Sequence, residues 1–407
     1  MTRGAIGIIG ASLAGLNAGL ELRRQGFAGR LVIAGDEPHK PYDRPPLSKE
    51  MVRGTWGHDE TKLAFDEDEL RAEWRLGDPA VALDAAAGEV TFASGVREQF
   101  PGGIVIATGA APRIIAGCEL RGVHIVRTLE DSTALHASLA ATTGPVVVIG
   151  GGFVGQEVAA SCRELGLPVT LIEVAAPARH ALGEEVAMHL AGIHRRNGVD
   201  VRLGVAVAAI EGEGTVTGVR LADGTLLPAA VAVVGVGVTP NVDWLAESGL
   251  TLDNGIVCDE TCLAAPGVVA AGDVARWPNQ RYGEMRRVEH WDNAVRQAVH
   301  AARRLLAEDG SAEAALPYTP VPWFWSDQYG LKLQLIGSTF GHDEVRILAD
   351  PAKPDRVLAL YRRGDRLNAV FGINNAKRLL AFRRMLEDNP SWDTGLGEAA
   401  LLLAPAA

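Results

Sequence analysis

The feature that most constrains this chain is a glycine-rich turn, spanning Val146 to Gly155, between a short strand and a helix. The residues before the turn are β-branched and apolar over the length of a buried strand, and helical spacing follows to about Leu165. Gly150, Gly152 and Gly155 stand at G-x-G-x-x-G spacing. Such a turn aims the first N–H groups of the helix at a bound pyrophosphate. The pattern therefore predicts an α/β fold with a dinucleotide site.

The residue that selects the nucleotide is Glu173, which follows the predicted strand Val169 to Ile172, 18 residues after Gly155. A carboxylate there bonds both ribose hydroxyls and repels a 2′-phosphate, so NADH is favoured over NADPH. Arg179 lies near enough to keep that preference moderate. The residues predicted to bind a cofactor in this part of the chain are Gly150, Gly152, Phe153, Val154, Gly155, Glu173 and Gly237.

A second turn of this kind stands at the N-terminus, over Ala5 to Gly15. Gly10 permits the turn and Gly15 lets helix and strand pack closely, but Ser12 replaces the middle glycine. Asp36 follows the predicted strand Leu31 to Ala34 and can accept hydrogen bonds from a ribose. Two dinucleotide turns imply two dinucleotides side by side, as when a nicotinamide passes hydride to a flavin. The alternative is a duplicated domain in which one site has decayed.

Three further segments carry predictions. The proline-rich loop Pro41 to Lys49 predicts an extended segment that holds Arg44 and Lys49 over a negatively charged or electron-accepting ligand; otherwise both are solvated cations on a surface loop. A helix is predicted over Glu67 to Arg75. A short buried strand ends in Gly272-Asp273, where Asp273 can bond the ribityl chain or a phosphate of a flavin.

The C-terminal part of the chain has a different character, because Pro322 to Trp325 places three aromatic residues together. They either pack the core of a small third domain or form a shield or electron exit beside a flavin. The chain also has a basic cluster on a predicted helix, which is either a solvated face or a docking site for an acidic protein; it consists of Lys377, Arg378, Arg383 and Arg384.

Composition limits the classes of partner. The 407 residues carry a formal charge of −11, which argues against non-specific nucleic-acid binding. The four cysteines are too few and too scattered for a disulfide framework, and they predict buried thiols in a reducing cytoplasm. The apolar N-terminal stretch is interrupted by Gly10, Ser12 and Asn17, so no membrane span is predicted. No metal site is predicted.

Together these motifs resemble the FAD-dependent ferredoxin reductases that serve oxygenases, within the pyridine-nucleotide reductase superfamily. The resemblance covers nearly the whole chain. The motifs that carry it, in order, are the first glycine turn, Tyr42 to Lys49, Ala107-Thr108-Gly109, the second glycine turn, Ala271-Gly272-Asp273 and Phe324-Trp325-Ser326-Asp327-Gln328.

The resemblance implies an α/β architecture with two Rossmann-like domains and a C-terminal α+β interface domain. The FAD domain is discontinuous (1–112 and 241–316), the NAD(H) domain is inserted at 113–240, and the interface domain covers 317–407. The residues that the resemblance and the motifs assign to the cofactors, besides those above, are Gly10, Ser12, Ala14, Gly15, Asp36, Arg44, Lys49, Val81, Ala107, Thr108, Gly109, Arg127, Gly272, Asp273 and Trp291. Lys49 and Glu157 resemble a charged pair near the reactive edge of the flavin and are the predicted catalytic residues.

The implied reaction is hydride transfer from NADH to FAD, followed by single-electron steps to a transiently bound 2Fe-2S ferredoxin. That ferredoxin would supply a haem-thiolate monooxygenase or a Rieske-type oxygenase. The alternatives are an NADH-dependent reductase for rubredoxin, a quinone-like molecule or a nitrite-reducing partner, and a flavoprotein that acts as a redox-responsive binding partner. No cysteine pair lies near residues 40 to 55, so disulfide reduction is not expected. The oligomeric state is open between monomer and homodimer.

Overall fold

The computed structural model describes residues 4–350 and 353–403. The last residues of the predicted interface domain, 404–407, lie outside the described residues. The chain divides into two compact units, each assembled from separated segments. The first unit contains the described residues of Met1–Asp43, Thr61–Ala111 and Thr239–Pro322. The second contains those of Arg44–Glu60, Pro112–Val238 and Trp323–Ala407.

The strands of the described residues are, in chain order, β1 (Ile6–Ile9), β2 (Leu31–Gly35), β3 (Glu73–Leu76), β4 (Ala80–Asp84), β5 (Glu89–Phe92), β6 (Arg97–Gln99), β7 (Gly103–Ile106), β8 (Ala110–Pro112), β9 (Val123–His124), β10 (Val146–Ile149), β11 (Val169–Glu173), β12 (Val199–Leu203), β13 (Val207–Gly212), β14 (Val216–Leu221), β15 (Leu226–Pro228), β16 (Val231–Val234), β17 (Val238–Pro240), β18 (Ile256–Val257), β19 (Leu263–Ala265), β20 (Val268–Ala270), β21 (Ala275–Asn279), β22 (Glu284–Arg286), β23 (Trp323–Gln328), β24 (Leu331–Gly337), β25 (Glu344–Asp350), β26 (Lys353–Arg363) and β27 (Arg366–Ile373).

The α-helices of the same residues are α1 (Leu13–Arg24), α2 (Glu50–Arg53), α3 (His58–Thr61), α4 (Glu67–Leu70), α5 (Leu129–Ala140), α6 (Phe153–Glu164), α7 (Arg179–Arg196), α8 (Trp291–Leu306), α9 (Ala376–Glu387) and α10 (Trp392–Leu403). Among the described residues, no helix is both long enough and apolar enough to cross a bilayer.

The first unit is built on a six-stranded sheet with the order β19-β20-β7-β1-β2-β3. Strand β1 pairs in parallel with β2 and with β7, and Ile6 lies opposite both Leu31 and Gly103. Every residue of β1 is buried. A parallel sheet covered on both faces requires such continuous apolar strands. Helices α1 and α8 pack against each other and against the sheet.

The second unit repeats this plan in a five-stranded sheet with the order β12-β11-β10-β16-β9. Strand β10 is buried throughout and pairs in parallel with β11 and β16. The unit also contains an antiparallel sheet with the order β23-β24-β27-β26-β25, followed by α9 and α10. The predicted fold class, with two Rossmann-like sheets and a C-terminal α+β region, is confirmed.

Two local predictions were wrong. The helix expected over Glu67 to Arg75 ends at Leu70, and Glu73–Leu76 instead forms β3, which pairs in parallel with β2. Pairing at the edge of the sheet outweighs helix propensity there. The proline loop is not extended throughout, because Pro45–Ser48 forms a 3-10 turn. Proline is tolerated in a first helical turn, where its missing N–H has no partner to lose.

Candidate functional site

The first glycine turn joins β1 to α1 and cannot accommodate side chains at two positions. Gly10 has φ +124°, and a Cβ atom there would lie 2.1 Å from the carbonyl oxygen of Ala107. A Cβ atom at Gly15 would lie 1.8 Å from the carbonyl oxygen of Gly10. Ser12 is the N-cap of α1, but its side chain makes no capping hydrogen bond. The first N–H groups of α1 therefore face the turn without an intrahelical partner.

Other predicted FAD contacts gather at this turn within the first unit. A Cβ atom on Gly272 would lie 3.2 Å from the Cβ of Ala14, so the Gly272-Asp273 segment approaches α1 closely. The loop at Thr108 is held by Asn241, whose side-chain amide donates to the Thr108 carbonyl oxygen over 2.8 Å. The glycine cradle and the open end of α1 suit an anionic pyrophosphate.

The remaining predicted FAD contacts of the first unit are more dispersed. Asp36 is exposed just beyond β2, and its carboxylate accepts a 3.0 Å hydrogen bond from the N–H of Glu37. Val81 is exposed on β4. Trp291 begins α8, and its indole N–H donates to Asp43 over 2.8 Å.

The second glycine turn joins β10 to α6 and repeats the close approaches of the first. A Cβ atom at Gly150 would lie 2.3 Å from the carbonyl oxygen of Gly235, and one at Gly155 would lie 2.1 Å from that of Gly150. Gly152 differs, because nothing lies within 4 Å of a Cβ placed there. The protein therefore leaves open space where the fingerprint places the pyrophosphate.

Glu173 is fixed at the end of β11 by two backbone donors. Its carboxylate accepts hydrogen bonds from the N–H groups of Gly151 (2.7 Å) and Ala175 (3.2 Å). Arg179, the cation considered for NADPH, pairs with Glu184 at 2.8 Å. Gly237 lies beyond β16 with φ +101°. Of the other predicted NADH contacts, Val154 is exposed on the first turn of α6, and Phe153 packs against Phe324.

A buried polar network that the sequence did not indicate supports the second turn. The Gln156 amide donates to the carbonyl oxygen of Gly151 over 3.0 Å, and its oxygen lies 3.3 Å from His194 Nε2. His194 Nδ1 lies 2.7 Å from the Tyr329 hydroxyl. Burial lowers the pKa of His194 to about 4, so the imidazole is neutral near pH 7. The network therefore links α7 and the β23–β24 turn to the glycine turn.

Lys49 and Glu157 meet in the second unit, although they are 108 residues apart in sequence. The Lys49 ammonium lies 2.7 Å from Glu157 Oε2, and each side chain is 7% exposed. The hydroxyl of Ser48 donates to the same oxygen over 2.5 Å, and that of Ser326 donates to Oε1 over 2.6 Å. Each oxygen of this buried carboxylate therefore accepts at least one hydrogen bond, and its charge is paired with one cation.

Arg44 and Arg127 also belong to the second unit. The Arg44 guanidinium donates to the Arg127 carbonyl oxygen over 2.5 Å. The N–H of Arg127 donates to Asp131, which forms a capping box with Thr128 at the start of α5. Arg127 therefore lies in the segment that precedes α5, and Arg44 reaches that segment from the proline loop.

The aromatic run lies on β23, where alternate residues face opposite sides. Phe324, Ser326 and Gln328 are buried, whereas Trp323 and Trp325 are half-buried, with ring centroids 5.2 Å apart. The basic cluster lies on α9 as predicted, and the Arg383 guanidinium lies 5.4 Å from the centroid of the Trp323 ring. Phe324 therefore packs in the core, whereas the two tryptophans do not.

The cysteines are free thiols, as predicted, and three of them are buried. Burial raises the pKa of the Cys162 and Cys258 thiols to about 12 and that of Cys262 well above its usual value. Thiols of this kind are not nucleophiles at neutral pH.

Sequence reasoning missed Ser48, Gln156, His194 and Tyr329 and gave Ser326 no role. One signal was available for Ser326, because it alternates with Phe324 and Gln328 on a strand and so shares their face. A small polar residue on a buried face needs a partner. Nothing in the local pattern identifies that partner as Glu157.

Comparison with known proteins agrees with this geometry. The profile of the pyridine nucleotide-disulphide oxidoreductase family matches residues 5–298, and that of the reductase C-terminal family matches residues 323–396. The chain is 37% identical over 402 residues to the ferredoxin–NAD(+) reductase component of the p-cumate 2,3-dioxygenase system of Pseudomonas putida. That alignment covers 95% of this chain and 94% of the relative.

Two solved structures are similar over almost the whole chain. The ferredoxin reductase for the CYP199A2 system of Rhodopseudomonas palustris superposes with a TM-score of 0.89 at 34% identity, covering 95% of each chain. Putidaredoxin reductase, in a covalent complex with putidaredoxin, superposes with a TM-score of 0.88 at 30% identity, covering 95% of this chain and 93% of that one.

Proposed function

Because this chain belongs to the pyridine nucleotide-disulphide oxidoreductase family, we propose that it is an NADH-dependent, FAD-containing ferredoxin reductase. It takes hydride from NADH and delivers single electrons to a 2Fe-2S ferredoxin. The observation that carries this function is the presence of two glycine turns, each closed against a neighbouring carbonyl oxygen, in a chain similar throughout to ferredoxin reductases. Three of the four free thiols are buried and unreactive, which supports the flavin rather than a disulfide as the outlet for electrons.

The ferredoxin serves an oxygenase in this proposal. One relative is named as part of a dioxygenase system, and the similar structures come from a cytochrome P450-type system and a putidaredoxin complex. A haem-thiolate monooxygenase and a Rieske-type dioxygenase are therefore the two expected terminal enzymes. Reduction of rubredoxin, a quinone-like molecule or a nitrite-reducing partner is the alternative.

We assign the FAD pyrophosphate to the first turn and NADH to the second. At the first turn, the open end of α1, the approach of Gly272 to Ala14 and the exposed Asp36 support this assignment. At the second, the space above Gly152 and the fixed carboxylate of Glu173 support it. The domain bounds 1–112, 113–240, 241–316 and 317–407 remain part of this proposal.

The cofactors supply the redox chemistry, since a flavin accepts hydride from a nicotinamide without an acid or base from the protein. The contribution of the chain is position and electric field. Lys49 provides a positive charge that stabilises the negative charge arriving with the hydride, and Glu157 holds its ammonium in place. The 2.7 Å contact between two side chains that are each 7% exposed makes that position well defined.

We place ferredoxin docking on the outward face of β23. Trp323 and Trp325 offer apolar ring surface there. The Arg383 guanidinium lies 5.4 Å from one ring, and the Lys332 ammonium lies 5.9 Å from the other. Lys332 is itself paired with Asp327 at 3.5 Å on this face, so the aromatic area and the basic residues of α9, rather than Lys332, favour an acidic protein partner. The docked protein is a transient partner, whether the reductase is a monomer or a homodimer, and we place this exchange in the cytoplasm.

The function is tested with the purified yellow protein, NADH or NADPH, and a panel of ferredoxins and rubredoxin, following reduction of a downstream acceptor. NADH with a 2Fe-2S ferredoxin should sustain turnover. Success with rubredoxin alone would favour the alternative acceptor, and slow turnover with every acceptor would indicate a redox-responsive binding protein.

The role of Lys49 is tested by Lys49→Met in stopped-flow reduction by NADH. We expect flavin reduction to slow about 100-fold, the effect of removing one preorganised electrostatic contact. The double variant K49M/E157Q is the matched control, because it no longer leaves a buried unpaired carboxylate. It should recover thermal stability without recovering the rate. Unchanged reduction rates in K49M would remove Lys49 from the mechanism.

A further inference from the structure

The side of β23 that faces the interior carries a short chain of hydrogen bonds. Ser326 is fully buried, and its hydroxyl accepts a 3.1 Å hydrogen bond from the Gln328 amide. The same hydroxyl donates to Glu157 Oε1 over 2.6 Å. Because Gln328 occupies an acceptor position of the oxygen, the proton of the hydroxyl is directed at the carboxylate.

We propose that Ser326 is a positioning residue for hydride transfer, acting through Glu157 on Lys49. This inference deepens the proposed function and rests on it. It makes the C-terminal sheet part of the machinery that reduces the flavin, in addition to any role in docking a partner.

The connection is direct because the two carboxylate oxygens of Glu157 have different partners. Oε2 accepts hydrogen bonds from Lys49 and Ser48, whereas Oε1 accepts one from Ser326. A carboxylate held at both oxygens cannot rotate about its last bond without losing a buried hydrogen bond. Lysine is a point charge on a flexible stem, so the position of its ammonium follows that of the carboxylate.

The strand that carries Ser326 is itself held in place. Within the sheet, Ser326 lies opposite Leu333 and Gln328 lies opposite Leu331. Between strand and helix, the Phe324 ring packs on Phe153 at the start of α6, with centroids 4.5 Å apart. Since α6 also carries Glu157, the distance between the hydroxyl and the carboxylate is set by secondary-structure elements rather than by a loop.

The test is Ser326→Ala, studied as the FAD-loaded protein. Loss of one hydrogen bond to a buried charge corresponds to about tenfold in rate. We expect the limiting rate of flavin reduction at saturating NADH to fall about tenfold, with the Kd for NADH unchanged within about twofold. The midpoint potential of the bound flavin should become about 30 mV more negative. For a two-electron couple, this shift corresponds to a tenfold change in the equilibrium constant for reduction.

Ser338→Ala is the matched control, because Ser338 is a buried serine of the same C-terminal region whose hydroxyl accepts from the N–H of Phe340. It should keep the wild-type rate and potential. The decisive comparison is S326A/K49M against K49M alone. If Ser326 acts through Lys49, adding Ser326→Ala to the K49M variant has no further effect on the rate of flavin reduction. If Ser326→Ala slows flavin reduction by the same factor in wild type and in K49M, its role is merely structural and the proposal is overturned.

A second variant covers the case in which S326A does not fold. Gln328→Met removes the donor that orients the Ser326 hydroxyl, and we expect a slowing of about threefold. A wild-type rate in Q328M would then overturn the proposal. Failure of the proposed function looks different, because NADH would then fail to reduce the flavin in wild type and in S338A as well.

Discussion

The two glycine turns share one local design but differ in what surrounds them. In each, the first glycine faces a carbonyl oxygen of a neighbouring segment, that of Ala107 in the first turn and that of Gly235 in the second. The second turn is additionally held by buried side chains, since Glu173 and Gln156 bond the N–H and the carbonyl of Gly151. The first turn has Ser12 at its N-cap instead, with no side-chain capping bond.

This difference indicates that the two sites depend on different parts of the chain. The second turn also faces a distant segment at Gly235, but the two side chains that bond Gly151, Gln156 and Glu173, follow it within 22 residues. The first is completed by distant segments, because Thr108, Asn241 and Gly272 come from separate stretches of the first unit. Substitutions in one turn should therefore weaken the binding of one cofactor and not of the other. Substitutions of the supporting residues should likewise affect only the turn that they support.

The largest effect is expected from alanine at the last glycine of each turn. Gly15→Ala and Gly155→Ala each place a Cβ within about 2 Å of a carbonyl oxygen, so the backbone must shift. G15A should lose bound FAD, and G155A should stay yellow but bind NADH more than 100-fold more weakly. Flavin absorbance and NADH titration measure these losses. Gly397→Ala is the control, because its Cβ would meet nothing within 4 Å; equal losses in all three variants would contradict the assignment.

The next effect is on the pH dependence of the unfolding free energy, and it should arise from His194, which supports the second turn. Its pKa is about 4 in the folded protein, below the value of about 6.5 for an unfolded histidine. Its contribution to stability is therefore complete above pH 6.5 and declines as the pH falls toward 4. At pH 5 this contribution to the free energy of unfolding is smaller by about 2 kcal/mol.

This loss is measured as the difference in unfolding free energy between wild type and His194→Asn across pH 4 to 7. The variant has no imidazole at this position, so its stability should fall less steeply with acid. Other titrating groups, including the half-buried His290, contribute equally to both proteins. Parallel pH profiles would show that His194 is not the group responsible.

A smaller effect is expected at Glu173. Glu173→Ala removes the carboxylate assigned to the ribose, so kcat/KM for NADH should fall about tenfold, and the ratio of NADPH to NADH activity should rise. Steady-state kinetics with both nucleotides measure this. Asp36→Ala, the corresponding change near the first turn, should leave that ratio unchanged. A change in the ratio with D36A instead would reverse the assignment of the two sites.

The smallest effect is expected at Ser12. Ser12→Gly restores the usual middle glycine and removes a hydroxyl that can bond the phosphate. We expect FAD affinity to weaken about threefold, the value of one neutral hydrogen bond. Equilibrium titration of the apoprotein with FAD is the measurement. Tighter binding in S12G would show that the serine obstructs the pyrophosphate.

The sequence by itself determined the two turns and the strands that feed them. This was possible because the requirement for glycine is local: the carbonyl that excludes a Cβ at Gly15 belongs to Gly10, five residues away. The position of Glu173 was predictable for the same reason, since strand and turn lengths fix its distance from the turn. The pairing of Lys49 with Glu157 came from the family resemblance, not from spacing.

Only the tertiary structure decided the rest. Glu73–Leu76 became a strand because the edge of the sheet offered β2 as a hydrogen-bonding partner. Ser326 reaches Glu157 across 169 residues, and His194 reaches Tyr329 across 135. Such contacts have no local signature, because a buried polar group constrains only the presence of a partner and not its place in the chain. The supports of the second turn and of the Lys49–Glu157 pair therefore become visible only after folding brings their elements together.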